Sequence, residues 1–569
     1  MDLFLIDAIG PFFRNYKRKR VNWSKIPFMH LESFTAQDWS AVENEIRTLA
    51  AAVSQQGYNA VTLDDLAHLA HHPAHLPETT ARINRLRGKF SRFFDIFTRE
   101  FGLRVFLTTD AIPLTPAVDE TLGTNRTTLE DYYRGLVRSV LDDFPQLSGL
   151  ILRIGESDGN DVTDPIRTRL HLRNAKDTNR LLKGLLPEFE SRDKQLIFRT
   201  WTVGAHPIGD LIWHRDTLAN TLDGIHSRHL IVSMKHGESD FFRYLPLNKA
   251  FFRIPHHRKL IELQARREYE GAGEYPSFIG WDCQRFAREL KDVPNMAGIS
   301  VWCQTGGWHR FRRRAFLETD HSDIWIRLNT AAAIGVFKHH LGPGHTVANL
   351  LGNPRAEPAI QLLRHADTAI HELFYIGDFA RQKLFFRRVR IPPVLHIYWD
   401  SLFINNAVRN AMQHFVTSPA RNLRGGEIAA DLFPEMIALA RNADLPVRDI
   451  EHMRDFFSLV QLARHYYFLP HDDHLIRQIK DAKAAYKNRW PRNHRYRIRA
   501  SFSPFPIRRS TLTWASRLLL RRKRGYRIFD HLFTIHLSGL LYRMLKPRDP
   551  AKTPKFLRKS AMGIDSLFK

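Results

Sequence analysis

Leu150-Ile151-Leu152-Arg153-Ile154-Gly155-Glu156-Ser157-Asp158-Gly159 is a short β-rich run that breaks into a carboxylate and then a loop of Gly and Asp. An amphipathic helical stretch precedes it at 128–144, another follows at 177–189, and a second β-rich run comes at 195–202. That alternation is the signature of parallel β/α units.

The same rhythm extends in both directions. Toward the N-terminus the pattern predicts strands at 103–108, 58–63 and 27–34, with helices at 80–101 and 37–56. Thr35 suits the N-cap of the latter helix and Asp38 its first turn. Toward the C-terminus it predicts strands at 229–234, 259–264 and 296–302, with helices at 212–222 and 282–290. Eight such units predict an α/β chain built on a closed (β/α)8 TIM-type barrel over 27–319, behind a basic N-terminal lead-in at 1–26. After residue 320 the strand signals fade. Helical periodicity at 324–340, 356–388, 395–417, 428–442, 449–468 and 472–487 predicts an all-helical domain over 320–490. Residues 491–569 read as a basic helical C-terminal extension, with a Pro-containing linker at 491–506 and a basic helix or helical hairpin at 511–546.

Composition excludes several classes. The 569 residues are 43% hydrophobic and 25% charged, which excludes long disordered tracts. Two cysteines, Cys283 and Cys303, make no disulfide framework and lack metal or redox spacing. The histidines His206, His214, His226, His229, His236 and His309 form no HxH or HExxH pattern, and no phosphate-binding glycine loop occurs, so neither metal nor cofactor is expected. No apolar run reaches the ~18 residues of a membrane span, and the first 20 residues run apolar then basic, the reverse of a secretory signal. The expected location is cytoplasmic, with an association at the inner membrane face left open. The net charge of +26 favours a polyanionic partner, and the excess clusters at 17–20, 310–314, 508–509 and 521–524.

In a (β/α)8 barrel the chemistry sits at the C-terminal ends of the strands. The predicted ends carry Glu32, Asp64, Asp110, Glu156, Trp201, Asp240, Glu268, and Trp302 with Gln304. Carboxylates in a cleft with aromatic platforms meet the needs of glycoside hydrolysis, an acid for the leaving oxygen and a second carboxylate to activate water or attack. Glu32, Asp64 and Asp110 equally suit helix capping. Arg153, Arg199 and Lys235 on neighbouring strands point to an anionic sugar, with Trp201, Tyr269 and Trp302 as further substrate contacts.

Across Gly149 to Trp308 the chain resembles the microbial α-glucuronidases of glycoside hydrolase family 67. The motifs that carry the resemblance are Leu152-Arg153-Ile154-Gly155-Glu156-Ser157-Asp158-Gly159, Phe198-Arg199-Thr200-Trp201, Lys235-His236-Gly237 with Asp240-Phe241, and Glu262-Leu263-Gln264 with Glu268-Tyr269-Glu270-Gly271. The resemblance implies an inverting hydrolase with Glu156 as general acid, Asp240 and Glu268 activating water, and Arg199 with Lys235 binding a uronate carboxylate. Glu156 should then be protonated, and Asp240 and Glu268 ionised. The chain departs from the family in lacking its first-loop tryptophan motif, and its strand-four basic residue stands one position closer to the glutamate.

The expected partner is an acidic oligosaccharide or polysaccharide. The alternative is a non-catalytic barrel that binds acidic glycan, in polysaccharide biosynthesis or at the membrane. Residues 511–546 suit an anionic membrane surface, the helical region leaves a homodimer open, and nucleic acid is disfavoured because no reader motif accompanies the charge.

Overall fold

The computed structural model describes residues 1–16, 26–155 except 124, 164–202 except 169–170, 208, 211, 215–304, 310–380, 383–384, 389–390, 394–503 except 395 and 399, and 520–521. Eight parallel strands close into a barrel in sequence order: β1 (Leu3–Asp7), β2 (Ala60–Asp64), β3 (Arg104–Asp110), β4 (Leu147–Gly155), β5 (Gln195–Thr202), β6 (Leu230–Lys235), β7 (Arg258–Gln264) and β8 (Met296–Trp302). The closing seam pairs Leu3, Phe4, Leu5 and Ile6 of β1 with Gly298, Ile299, Ser300 and Val301 of β8.

The predicted barrel and the helical region after it are both present, with one strand displaced. The first strand is Leu3–Asp7, inside the stretch expected to be a basic lead-in, and residues 27–34 instead hold a short helical turn, Phe28–Leu31. Leu-Phe-Leu-Ile-Asp is wholly buried and slots between β2 and β8, which the half-polar 27–34 segment could not do. The barrel therefore begins at residue 3, and Glu32 ends no strand. Helix Ala36–Gln56 starts as expected, with Thr35 Oγ1 accepting from the Asp38 amide at 3.2 Å and Asp38 Oδ2 accepting from the Thr35 amide at 3.0 Å.

Side chains alternate in and out along each strand, so the barrel interior is layered. Its floor is apolar: Leu3, Leu5, Ala60, Phe106, Ile151, Ile197, Ile231, Leu260 and Ala297 form one cluster. One step further along the strands the inward positions turn polar, as in the 2.9 Å contact of Thr62 with Thr108 and the buried Arg153, Arg199, Ser233 and Glu262. A larger core between strands and outer helices holds the barrel together, with Ile46, Phe90, Phe93, Leu182 and Phe286 among its members.

A third apolar cluster joins the loops after β6 and β7 to the helical region. The helices Ile324–Phe337, Pro343–Leu351, Asn353–Phe374, Asn406–Phe415, Pro419–Asn442, Val447–Phe468 and Asp473–Arg489 make up that region. The expected helix at 356–388 ends at Phe374, and 395–417 opens with strands Ile397–Tyr398 and Ser401–Asn405 before its helix. The stretch expected to be a linker carries strand Arg497–Ser501, paired in parallel with Ser401–Asn405, so the region is not all-helical. The expected basic helix at 511–546 lies outside the described residues, apart from the two-residue strand Leu520–Arg521.

The 310–314 basic cluster, expected to face a polyanion, in large part ties the molecule together. Arg313 forks onto Asp449 of the helical region with both distances 2.7 Å, and Arg314 reaches Glu45 at 2.6 Å. The side chains of 17–20, 508–509 and 521–524 lie outside the described residues.

Candidate active site

The site is the mouth of the barrel, and the loops after β6 and β7 build its most chemical part. Asp240 follows β6 and sits among cations and donors. Lys235, the last residue of β6, bonds its Oδ1, the Phe241 amide donates to the same oxygen at 2.9 Å, and the Tyr269 hydroxyl donates to Oδ2 at 2.7 Å. Burial opposes ionisation here, yet the Lys235 ammonium and these donors outweigh it and hold the Asp240 carboxyl below its ordinary value. Lys235 in turn lies 3.8 Å from the Trp201 ring centre and 4.1 Å from that of Phe241, a cation on two aromatic faces.

Glu268 follows β7 and has the opposite electrostatics. Its amide donates to Gln264 Oε1 at 2.9 Å, and its carboxyl is pushed up to about 8, first by burial and then by the neighbouring Asp240 charge. At neutral pH it holds its proton. The expectation that Asp240 and Glu268 both ionise therefore fails for Glu268: two anions in one desolvated space repel, and the one that Lys235 does not bond keeps its proton. Access differs as well, since the Asp240 side chain keeps 18% of its exposure while Glu268 keeps 4%.

The cations expected to grip a uronate are engaged within the barrel. Arg199 forks onto Glu262 of β7, Nε at 2.8 Å and Nη2 at 2.7 Å, and Ser233 donates to the same carboxylate at 2.8 Å. Arg153 pairs with Asp110 at 2.7 Å, each 2% exposed, and Lys235 holds Asp240. Each of the three cations expected to contact substrate, Arg153, Arg199 and Lys235, thus carries an internal charge pair. Trp302 is buried with the Arg199 guanidinium 4.7 Å from its ring centre, so it packs rather than offering a platform. Tyr269, expected to contact substrate, is buried against Phe242, ring centres 4.2 Å apart, with its hydroxyl on Asp240. Trp201, next to last in β5, is half-buried. Glu156 lies outside the described residues.

The carboxylates of the first three strands follow another pattern. Asp7, Asp64 and Asp110 end β1, β2 and β3. Asp7 accepts from the amides of Cys303 and Gln304, with the Gln304 contact at 2.9 Å, and so ties β1 to the chain leaving β8. Asp64 accepts from the Ile26 amide at 2.9 Å. Neither Asp64 nor Asp110 takes the helix-capping role open to it, and Glu32 binds Arg82 at 2.6 Å on the surface. Asp7 lies outside the expected strand ends because the first strand was expected at 27–34, although Leu-Phe-Leu-Ile-Asp repeats the apolar-then-acid pattern of Ala-Val-Thr-Leu-Asp at β2. Glu262 was visible only as a motif member, since nothing local indicates that a residue 63 positions away would claim it.

The β7 loop faces two ways. Glu268 and Tyr269 turn to the site, while Glu270 takes Arg267 at 2.8 Å and Glu274 takes Arg313 at 3.3 Å and His494 at 2.9 Å. Gly271 lets the loop fold this tightly: its φ is +90° and a Cβ there would lie 2.6 Å from the Tyr275 ring.

Among solved structures the chain is similar to a GH138 enzyme described as targeting pectin rhamnogalacturonan II, with 12% identity, a TM-score of 0.50, and coverage of 86% of this chain and 76% of that one. A family 89 glycoside hydrolase from Clostridium perfringens matches at 10% identity and a TM-score of 0.40, over 85% of this chain and 53% of that one. A D-allulose 3-epimerase from Methylomonas matches at 11% identity and a TM-score of 0.33, over 60% of this chain and 98% of that one. The likeness is one of fold. No family model and no curated protein matches the chain, so the resemblance to family 67 rests on its motifs alone.

Proposed function

We propose that this chain is a glycoside hydrolase whose working pair is Asp240 and Glu268. The carrying observation is a protonated carboxyl and an ionised one side by side at a barrel mouth, the division of labour that general acid and base catalysis of glycosidic cleavage requires. Glu268 donates its proton to the leaving oxygen. Asp240, oriented by Tyr269 and kept anionic by Lys235, acts on water or the sugar carbon. Trp201 offers a half-exposed aromatic face at the same opening. The similarity in fold to a GH138 enzyme supports the class of reaction.

This assignment gives Glu268 the acid role that the family 67 motif gives Glu156. A uronate preference finds less support, because Arg153, Arg199 and Lys235 each face a carboxylate of the chain itself; what favours an acidic glycan is the charge of +26.

The test is hydrolysis of a panel of neutral and uronate-containing oligosaccharides by wild type, Asp240→Asn, Glu268→Gln and Glu156→Gln. The expected result is cleavage by wild type and at least about a thousandfold loss in the first two variants. Loss in Glu156→Gln with Glu268→Gln active would return the acid role to Glu156, and binding without turnover on every member would favour a glycan-binding barrel.

A further inference from the structure

The loops that carry Asp240 and Glu268 are joined by a residue of the helical region. Tyr375 follows helix Asn353–Phe374, more than 100 residues from either carboxylate, and is 7% exposed. Its hydroxyl accepts from the Arg243 amide at 3.1 Å, three residues after Asp240, and donates to Glu270 Oε1, two residues after Glu268. A single oxygen thus bonds to both loops.

The surroundings fix that oxygen. Arg464 of helix Val447–Phe468 anchors the carbonyls of Leu373 and Tyr375, the latter at 3.4 Å. Tyr244 packs edge-on against the Tyr375 ring with centres 4.8 Å apart. Burial and the nearby Glu270 charge push the phenol up, so it stays a donor. Burial acts against the Glu270 anion, but Arg267 and Arg243 hold its carboxyl below the ordinary value. Arg243 is fixed in turn by Asp282 at 2.6 Å and by Asp367.

We infer that Tyr375 is a positioning residue of the active site: its hydroxyl clamps the β6 and β7 loops together and so sets the separation of Asp240 and Glu268. The inference rests on the acid and base reading of those two residues. It makes the helical region part of the catalytic unit.

Tyr375→Phe removes one oxygen and keeps the ring. Carboxyl-labelled glutamate makes Glu268 observable by carbon NMR in the full chain, its signal assigned by absence in Glu268→Gln. The groups around Glu268 are Asp240 and Lys235 from the β6 side and Gln264, Arg266 and Arg267 from the β7 side. With the clamp gone the loops part, Asp240 recedes and water enters. The expected result is a folded variant in which the Glu268 midpoint falls by one unit or more from about 8, while Tyr244→Phe, which loses only the two hydroxyl bonds to Asp367, leaves it in place. On any substrate found, kcat falls about tenfold or more with KM little changed.

A folded Tyr375→Phe with an unchanged midpoint overturns the inference. Because the midpoint needs no substrate, this outcome is distinct from failure of the glycosidase reading, which would show as no turnover with the midpoint shift intact. Should the variant not fold, hydrogen exchange in the wild type decides: segments 241–244 and 269–272 should open together, and exchange of one with the other still protected overturns the clamp.

Discussion

Two halves of the barrel mouth carry carboxylates at equivalent strand ends and use them differently. On β1 to β3, Asp7, Asp64 and Asp110 are each held by a partner of their own: the amides of Cys303 and Gln304, the amide of Ile26, and Arg153. On β6 and β7, Asp240 and Glu268 are set against one another, with a single lysine between two acids. A strand-end position makes a carboxylate a candidate. What sets Glu268 apart is a second carboxylate in the same buried space, which leaves a proton whose position can change.

The largest effect expected from this contrast comes from Glu268→Gln, which should abolish turnover and yet stabilise the protein. The folded Glu268 keeps its proton up to about 8, whereas the unfolded carboxyl releases it near ~4.3, so between those values the unfolded chain binds fewer protons and stability falls as pH rises. Thermal unfolding at pH 5 and pH 8 should therefore show a variant advantage that grows with pH. Asp240 has the reverse sign: its depressed value contributes stability that is present above about 3.9 and lost as pH falls through the folded value.

Next in size is Glu262→Ala. It leaves the Arg199 guanidinium buried without its fork, and breaking a buried pair in this way costs about 3–5 kcal/mol, readable as a lowered denaturant midpoint. If Arg199 instead served a substrate carboxylate, activity would fall with stability nearly intact.

On the structural half the expected effects are smaller. Asp7→Ala leaves the buried amides of Cys303 and Gln304 short of an acceptor and should cost about 1–3 kcal/mol at the β1 and β8 seam. Smallest of all, Glu32→Ala removes a surface partner of Arg82, which also pairs with Asp164 at 2.9 Å, and should change stability by about 0–1 kcal/mol. A large loss of turnover in Asp7→Ala would erase the contrast between the halves.

The barrel was legible because its strands are consecutive apolar runs: Gln195–Thr202 and Met296–Trp302 match the expected bounds, and seven of the eight strands stand where the pattern put them. Leu3–Asp7 is masked in the sequence by the basic residues at 17–20, which give this end of the chain the composition of a charged lead-in although it opens with an apolar run ending in aspartate. Asp240 and Glu268 were found by position and motif. Their protonation was not, because it depends on Lys235 choosing one of two acids brought together from separate strands. For the same reason Arg199 looked available for a substrate: its partner Glu262 lies two strands away, and the bond exists only once the barrel closes. Tyr375 gave no signal at all, since its role comes from packing of the helical region on loops far from it in sequence.

The measurement that bears most directly on the coupling of Asp240 and Glu268 is the titration of the Glu268 carboxyl in wild type and in Asp240→Asn. A wild-type midpoint near 8 that falls by at least one unit when the Asp240 charge is removed is the predicted result. A midpoint near the ordinary ~4.3 in the wild type, or one indifferent to Asp240, would contradict it.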